Sequence, residues 1–195
     1  MNKPIRVFLQ NGETGTWLSL PADSDDFQKA LREINAANPD SISTGKYKSD
    51  VSALPADLLT NAELNLVNYL AARLAGMDKK QLAMLDAIME SSFRFITVEQ
   101  LIDYADNEDY FLFRPGINDA AALGRYYVYD TGLCQIPEEW KGGIDLEKFG
   151  EHAAQQELGV FTSKGYLMPS GDKWTNTLLA EYGIPSEYRL YHQGK

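Results

Sequence analysis

The chain holds one cysteine, Cys134, and two histidines, His152 and His192, in 195 residues. A single thiol excludes an internal disulfide and any cysteine-built zinc cage. The histidines lie far apart and form no H-E-x-x-H pair, so a metal site would depend almost entirely on Asp and Glu. No G-x-x-x-x-G-K loop, G-x-G-x-x-G turn or G-x-S-x-G elbow is present. No apolar run approaches the roughly 20 residues of a membrane span. Met1-Asn2-Lys3-Pro4 passes directly into a strand-like segment, which predicts the absence of a secretory leader and a cytoplasmic protein. These absences predict a protein without cofactor, metal or catalytic residues.

Two groups of residues offer catalytic alternatives to that expectation. Cys134 paired with His152 is a nucleophile–base combination in principle, but a small half-buried hydrophobe is the preferred reading of Cys134. Adjacent carboxylates such as Glu138-Glu139 suggest acid–base work only inside a cleft that splits their pKa values. Near turns they read as solvated surface.

Basic residues are also scarce where acidic ones gather. The net charge is −10, from 18 basic and 28 acidic side chains. Residues 1–55 are net −1, residues 56–100 net −2, residues 101–160 net −8 and residues 161–195 net +1. Such a field repels nucleic acid and attracts basic surfaces, which predicts no direct nucleic-acid binding and a basic protein partner.

What is present is patterned for packing. Hydrophobic residues make up 44%, enough for cores and too many for disorder. Ile5–Leu9 and Thr16–Leu20 flank Asn11-Gly12-Glu13-Thr14-Gly15 as a hairpin, with Trp17 facing away from Leu18 and Leu20. Ser24 is a candidate N-cap for a helix burying Phe27, Ala30, Leu31 and Ile34, and residues 42–48 suit a third strand. Thr60–Glu63, Asp78–Gln81 and Thr97–Gln100 carry capping-box spacing ahead of three amphipathic helices. Tyr110–Phe113 reads as a strand, and Asn118 or Asp119 as the cap of a helix bearing Leu123, Tyr126 and Tyr127. A short helical turn at 136–140, a helix from Asp145 and a hairpin of 160–162 with 166–168 follow. Trp174, Leu178, Leu179 and Tyr182 suggest one more helix.

The fold class is therefore α+β, a chain of small modules. A ββαβ unit spans 1–55, a helical bundle 56–103, and an acidic α+β module with a short antiparallel sheet 104–168. Residues 169–195 form an unassigned extension.

Several strings carry a resemblance. Leu123-Gly124-Arg125-Tyr126-Tyr127, Ile136-Pro137-Glu138, Ile144-Asp145 and Phe149-Gly150 resemble the C-terminal half of the ArdA antirestriction family. Ile5-Arg6-Val7, Gly15–Pro21, Glu63-Leu64-Asn65 and Leu70-Ala71 are similar to its N-terminal half. The resemblance spans most of residues 4–167. It implies a mobile-element protein, elongated, that mimics bent B-form DNA, occupies the DNA groove of type I restriction–modification enzymes (the methyltransferase–specificity complex) and is a homodimer joined through its C-terminal module. The family's antirestriction motif falls at Asp130–Leu146.

The acidic surface implied by that function comprises Asp103, Asp106, Glu108, Asp109, Asp119, Asp130, Glu138, Glu139, Asp145, Glu147, Glu151 and Glu157. Leu133, Ile136 and Trp140 are candidate dimer contacts. The competing reading is an acidic phage or plasmid adaptor for another basic DNA-handling protein.

Overall fold

The computed structural model describes residues 2–178 and 183–191. Contacts divide the chain into two units, one built from Met1–Leu82, Phe95–Asn107 and the described part of Thr175–Lys195, the other from Ala83–Arg94 and Glu108–Trp174. The elements are an α+β mixture of eight α-helices and two three-stranded antiparallel sheets among the described residues.

In the first unit, β1 (Ile5–Asn11) is the central strand between β2 (Thr14–Leu20) and β3 (Ser43–Ser49). Alternation places Ile5, Val7, Leu9, Leu18 and Leu20 in the core. Phe27, Ala30 and Leu31 of α1 (Ser24–Glu33) are buried with them, and α1 contacts β2. The N-cap of α1 is Asp23 rather than Ser24: its carboxylate accepts from the Asp26 N–H at 2.8 Å.

A short helix that periodicity did not resolve, α2 (Ala56–Thr60), precedes α3 (Leu64–Gly76). The capping box expected at Thr60–Glu63 does not form. Thr60 Oγ1 donates back to the Ala56 carbonyl at 2.9 Å inside α2, and Glu63 itself caps α3. The other two boxes form as expected. Asp78 and Gln81 exchange side-chain-to-backbone bonds of 2.7 and 2.8 Å at the start of α4 (Lys79–Glu90). Thr97 and Gln100 do the same at α5 (Val98–Tyr104).

The C-terminal segment that the sequence left unassigned is held by buried polar side chains. Asn65 Oδ1 accepts from the Leu190 N–H at 2.8 Å. Asn68, fully buried, donates to the Tyr188 carbonyl and also bonds both backbone groups of Ala22. Asn107 bonds the N–H and C=O of Thr175 at 2.7 and 2.8 Å. Only Trp174 and Leu178 of the expected last helix are described; Leu179, Tyr182 and His192 lie outside the described residues.

In the second unit, β6 (Gly165–Pro169) is central between β4 (Phe111–Pro115) and β5 (Val160–Phe161). The hairpin expected from sequence pairs Val160 with Leu167 and Phe161 with Tyr166. Helix α6 (Ala120–Arg125) packs on α8 (Leu146–Gln156), with the four-residue α7 (Glu138–Lys141) between them in sequence. Leu123, Tyr127, Ala154 and Tyr166 form the core cluster, and Cys134, Phe149 and Phe161 pack against it. After α6 the backbone widens into a π-helical turn, Tyr126–Asp130, closed by the Thr131 N–H on the Tyr126 carbonyl at 3.1 Å.

Candidate acidic recognition surface

The twelve acidic side chains of residues 101–160 fall into three environments. Asp103 is buried at 2% exposure. One of its oxygens accepts from the Leu178 N–H at 2.8 Å and from Thr177 Oγ1 at 2.9 Å. The expectation that Asp103 faces a partner is therefore corrected: burial takes it off the surface, and its charge is committed to the C-terminal segment. Glu157 is half-buried and accepts from two phenols, Tyr127 and Tyr166. Burial, then the Glu157 carboxylate, pushes the Tyr127 hydroxyl up to about 12 and that of Tyr166 upward as well. The carboxylate favours the neutral phenols because ionising either would place two negative charges side by side.

The remaining ten are exposed: Asp106, Glu108, Asp109, Asp119, Asp130, Glu138, Glu139, Asp145, Glu147 and Glu151. Asp106 belongs to the first unit and the other nine to the second. They are not equivalent. Asp106 pairs with Arg73, Glu138 with Lys141, and Asp145 with Lys148 at 3.5 Å. Among the described residues, no basic side chain lies within ion-pair distance of Asp109, Asp130, Glu139, Glu147 or Glu151.

Local structure fixes where several of these charges stand. Asp119 caps α6, accepting from the Ala122 N–H at 2.7 Å. Asp145 caps α8, accepting from the Lys148 N–H at 3.2 Å. That backbone bond, with the Lys148 ammonium beside it, holds the Asp145 carboxyl below its ordinary value. Glu147 and Glu151 stand four residues apart on α8, which places them on one face about 5–6 Å apart. A Cβ on Gly150 would collide with the Ala120 carbonyl, and one on Gly124 with the Leu146 carbonyl. The antiparallel contact of α6 and α8 is thus backbone on backbone.

The candidate dimer contacts are distributed around α7. Leu133 and Trp140 are exposed at 71% and 69%, and Ile136 is half-buried. Tyr129 belongs to the same neighbourhood: its hydroxyl donates to the Lys141 carbonyl at 3.2 Å. Its position there follows from the π-helical turn, which no short-range pattern announces.

Among the described residues, no three His, Cys, Asp or Glu side chains are grouped to hold a metal ion. No helix among them is long and apolar enough to cross a membrane.

Comparison with curated proteins returned no match. The family model described as "Antirestriction protein (ArdA)" matches residues 10–168, more than three quarters of the chain, from the end of β1 into β6. By that match the chain belongs to the ArdA family of antirestriction proteins, inhibitors that act on restriction–modification enzymes.

Proposed function

We propose that this ArdA protein is a DNA decoy that competitively fills the DNA-binding groove of a type I restriction–modification enzyme. The observation that carries the reading is that ten of the twelve acidic side chains of residues 101–160 point to solvent on a packed scaffold, in a chain whose family is antirestriction. Duplex DNA presents about one charge per 1.7 Å of axis. Carboxylates about 5–6 Å apart along one helix face, as at Glu147 and Glu151, approach the spacing of phosphates along one strand. Rigidity matters equally, because a groove shaped for DNA rewards charges already in place. Helix caps at Asp119 and Asp145 and the close α6–α8 contact supply it.

The decoy works in the cytoplasm beside its target, without catalysis of its own. It acts as a homodimer, for which the exposed Leu133 and Trp140, with Ile136, are the contact residues we assign. Residues 1–55 and 56–100 add little to its charge, at net −1 and −2.

The test is displacement. In a gel shift, the protein releases DNA from a type I methyltransferase–specificity complex at low salt and progressively fails to do so as salt rises. Failure to displace DNA at any salt overturns the reading. Capture of a different basic DNA-handling protein in its place makes the chain an adaptor.

A further inference from the structure

The outer face of the first sheet runs against the charge of the rest of the chain. Because β1 and β2 turn Ile5, Val7, Leu9, Leu18 and Leu20 inward, period two sends Arg6, Phe8 and Trp17 outward together. Register then completes the face. Phe8 stands opposite Trp17 on one side and Lys46 on the other, and Arg6 stands opposite Lys48. The two rings are 5.3 Å apart, centroid to centroid. Lys46 Nζ lies 5.5 Å over the Phe8 ring, and Lys48 Nζ lies 4.7 Å over the Trp17 ring. The Phe8 ring rests on Gly15, in space that a Cβ there would claim.

Two features of this face are unfavourable for a sheet that only needs to be soluble. Trp17 keeps 40% of its surface in water. Arg6 and Lys48 are like charges directly opposite each other, an arrangement that destabilises a strand pair. Asp50 answers Arg6 only at 3.9 Å, from an exposed position. An anionic ligand with flat, apolar faces resolves both.

We propose that this face binds single-stranded nucleic acid, with bases stacked on Trp17 and Phe8 and phosphates held by Arg6, Lys46 and Lys48. Base–aromatic stacking exceeds an exposed cation–π contact, so bases displace the two lysines from the rings. The freed ammonium groups then stand beside the stacked bases, where the backbone phosphates run. Duplex DNA is a poor ligand, because its bases are already stacked on each other. An acidic protein would engage the cations and leave the rings unused. The net −10 does not forbid the contact: residues 1–55 are net −1, and exposed charges beyond a Debye length of about 10 Å at 0.1 M salt are largely screened. This inference stands apart from the decoy reading and departs from the expectation that net charge alone excludes nucleic acid.

The test is fluorescence anisotropy of labelled oligo-dT and oligo-rU with the full chain at about 0.1 M salt and above. Binding of either strand is expected, weakened about tenfold by Trp17→Ala and restored by Trp17→Phe. Lys46→Gln with Lys48→Gln, two phosphate contacts fewer, flattens the slope of log K against log salt by about 1.4. Glu139→Gln with Glu147→Gln, which weakens a decoy, leaves this binding unchanged. Absence of binding to both strands overturns the proposal, as does binding that neither the Trp17 nor the lysine substitutions alter in variants whose circular dichroism matches the parent. Displacement of the oligonucleotide by polyglutamate more readily than by unlabelled oligo-dT also overturns it, and assigns the face to an acidic protein.

Discussion

Gly124 and Gly150 meet where α6 crosses α8, so close that a Cβ on Gly150 would stand 2.9 Å from the Gly124 backbone nitrogen. Two opposed effects decide what alanine does at either position. Alanine favours a helix interior over glycine by about 1 kcal/mol. Pressing a methyl into a well-packed contact costs about 1–3 kcal/mol, and here the obstacle is backbone, which cannot change rotamer. Collision wins. Gly124→Ala or Gly150→Ala is expected to destabilise the second unit by about 2 kcal/mol in chemical denaturation. Gly76→Ala, at the end of α3 with open space around it, is expected to be neutral or mildly stabilising.

The carboxylate of Glu157 between Tyr127 and Tyr166 ties stability to alkaline pH. The folded Tyr127 hydroxyl is raised to about 12 from an ordinary 10. A group raised on folding contributes stability that is intact below its unfolded value and is lost as pH climbs through its folded value. Calorimetric Tm is therefore expected to hold steady to about pH 10 and to fall between about pH 10 and 12. Glu157→Gln removes the charge that resists phenol ionisation. It is expected to shift the tyrosine ultraviolet titration downward and to cost about 1–2 kcal/mol at neutral pH through a weakened hydrogen-bond pair. A tyrosine titration unmoved by Glu157→Gln would mean that burial alone sets these hydroxyls.

The same residue marks the boundary of what the sequence reveals. Features whose cause lies within a few residues were legible: the N-terminal hairpin, the boxes at Asp78–Gln81 and Thr97–Gln100, a cap at Asn118 or Asp119, which is Asp119, and the 160–168 hairpin. Glu157 and Asp103 looked like members of an acidic surface because nothing nearby identifies their partners. Tyr127 lies 30 residues from Glu157, and Leu178 lies 75 from Asp103. Asn65 and Asn68 reach partners more than 100 residues away, which helix periodicity does not reveal. The glycines of the family-like strings were recognised as strings, yet their reason, a backbone-to-backbone crossing, appears only once α6 and α8 are laid together.

Asp103 separates structural from electrostatic roles. Its buried carboxylate satisfies the Leu178 N–H and the Thr177 hydroxyl. Removing it strands donors of the C-terminal segment, at a cost of about 1–3 kcal/mol. Asp103→Ala is expected to lower stability by that amount and to speed proteolysis near residues 175–178. At a temperature where the variant remains folded, antirestriction activity is expected to be unchanged. A loss of activity with unchanged stability would return Asp103 to the recognition surface.

Among the exposed carboxylates, existing partners rank the expected effects on activity. Glu138 and Asp145 already stand beside Lys141 and Lys148, so each pair is close to neutral at a distance. Glu139, Glu147 and Glu151 have no such counter-charge among the described residues and project their full field. Neutralising Glu139, Glu147 and Glu151 together is expected to weaken competition with DNA more than neutralising Glu138 and Asp145 together, and to reduce its salt dependence. Asp145 has a second role as the cap of α8, so Asp145→Asn retains an acceptor, whereas Asp145→Ala loses about 1 kcal/mol of helix stability. Each single Glu→Gln change is expected to shift the inhibitory concentration only a few-fold, because each exposed charge contributes modestly. Titration of DNA cleavage by a type I enzyme checks both the ranking and the additivity. A single substitution among these three that abolishes inhibition in a folded protein would replace a distributed field with one essential contact.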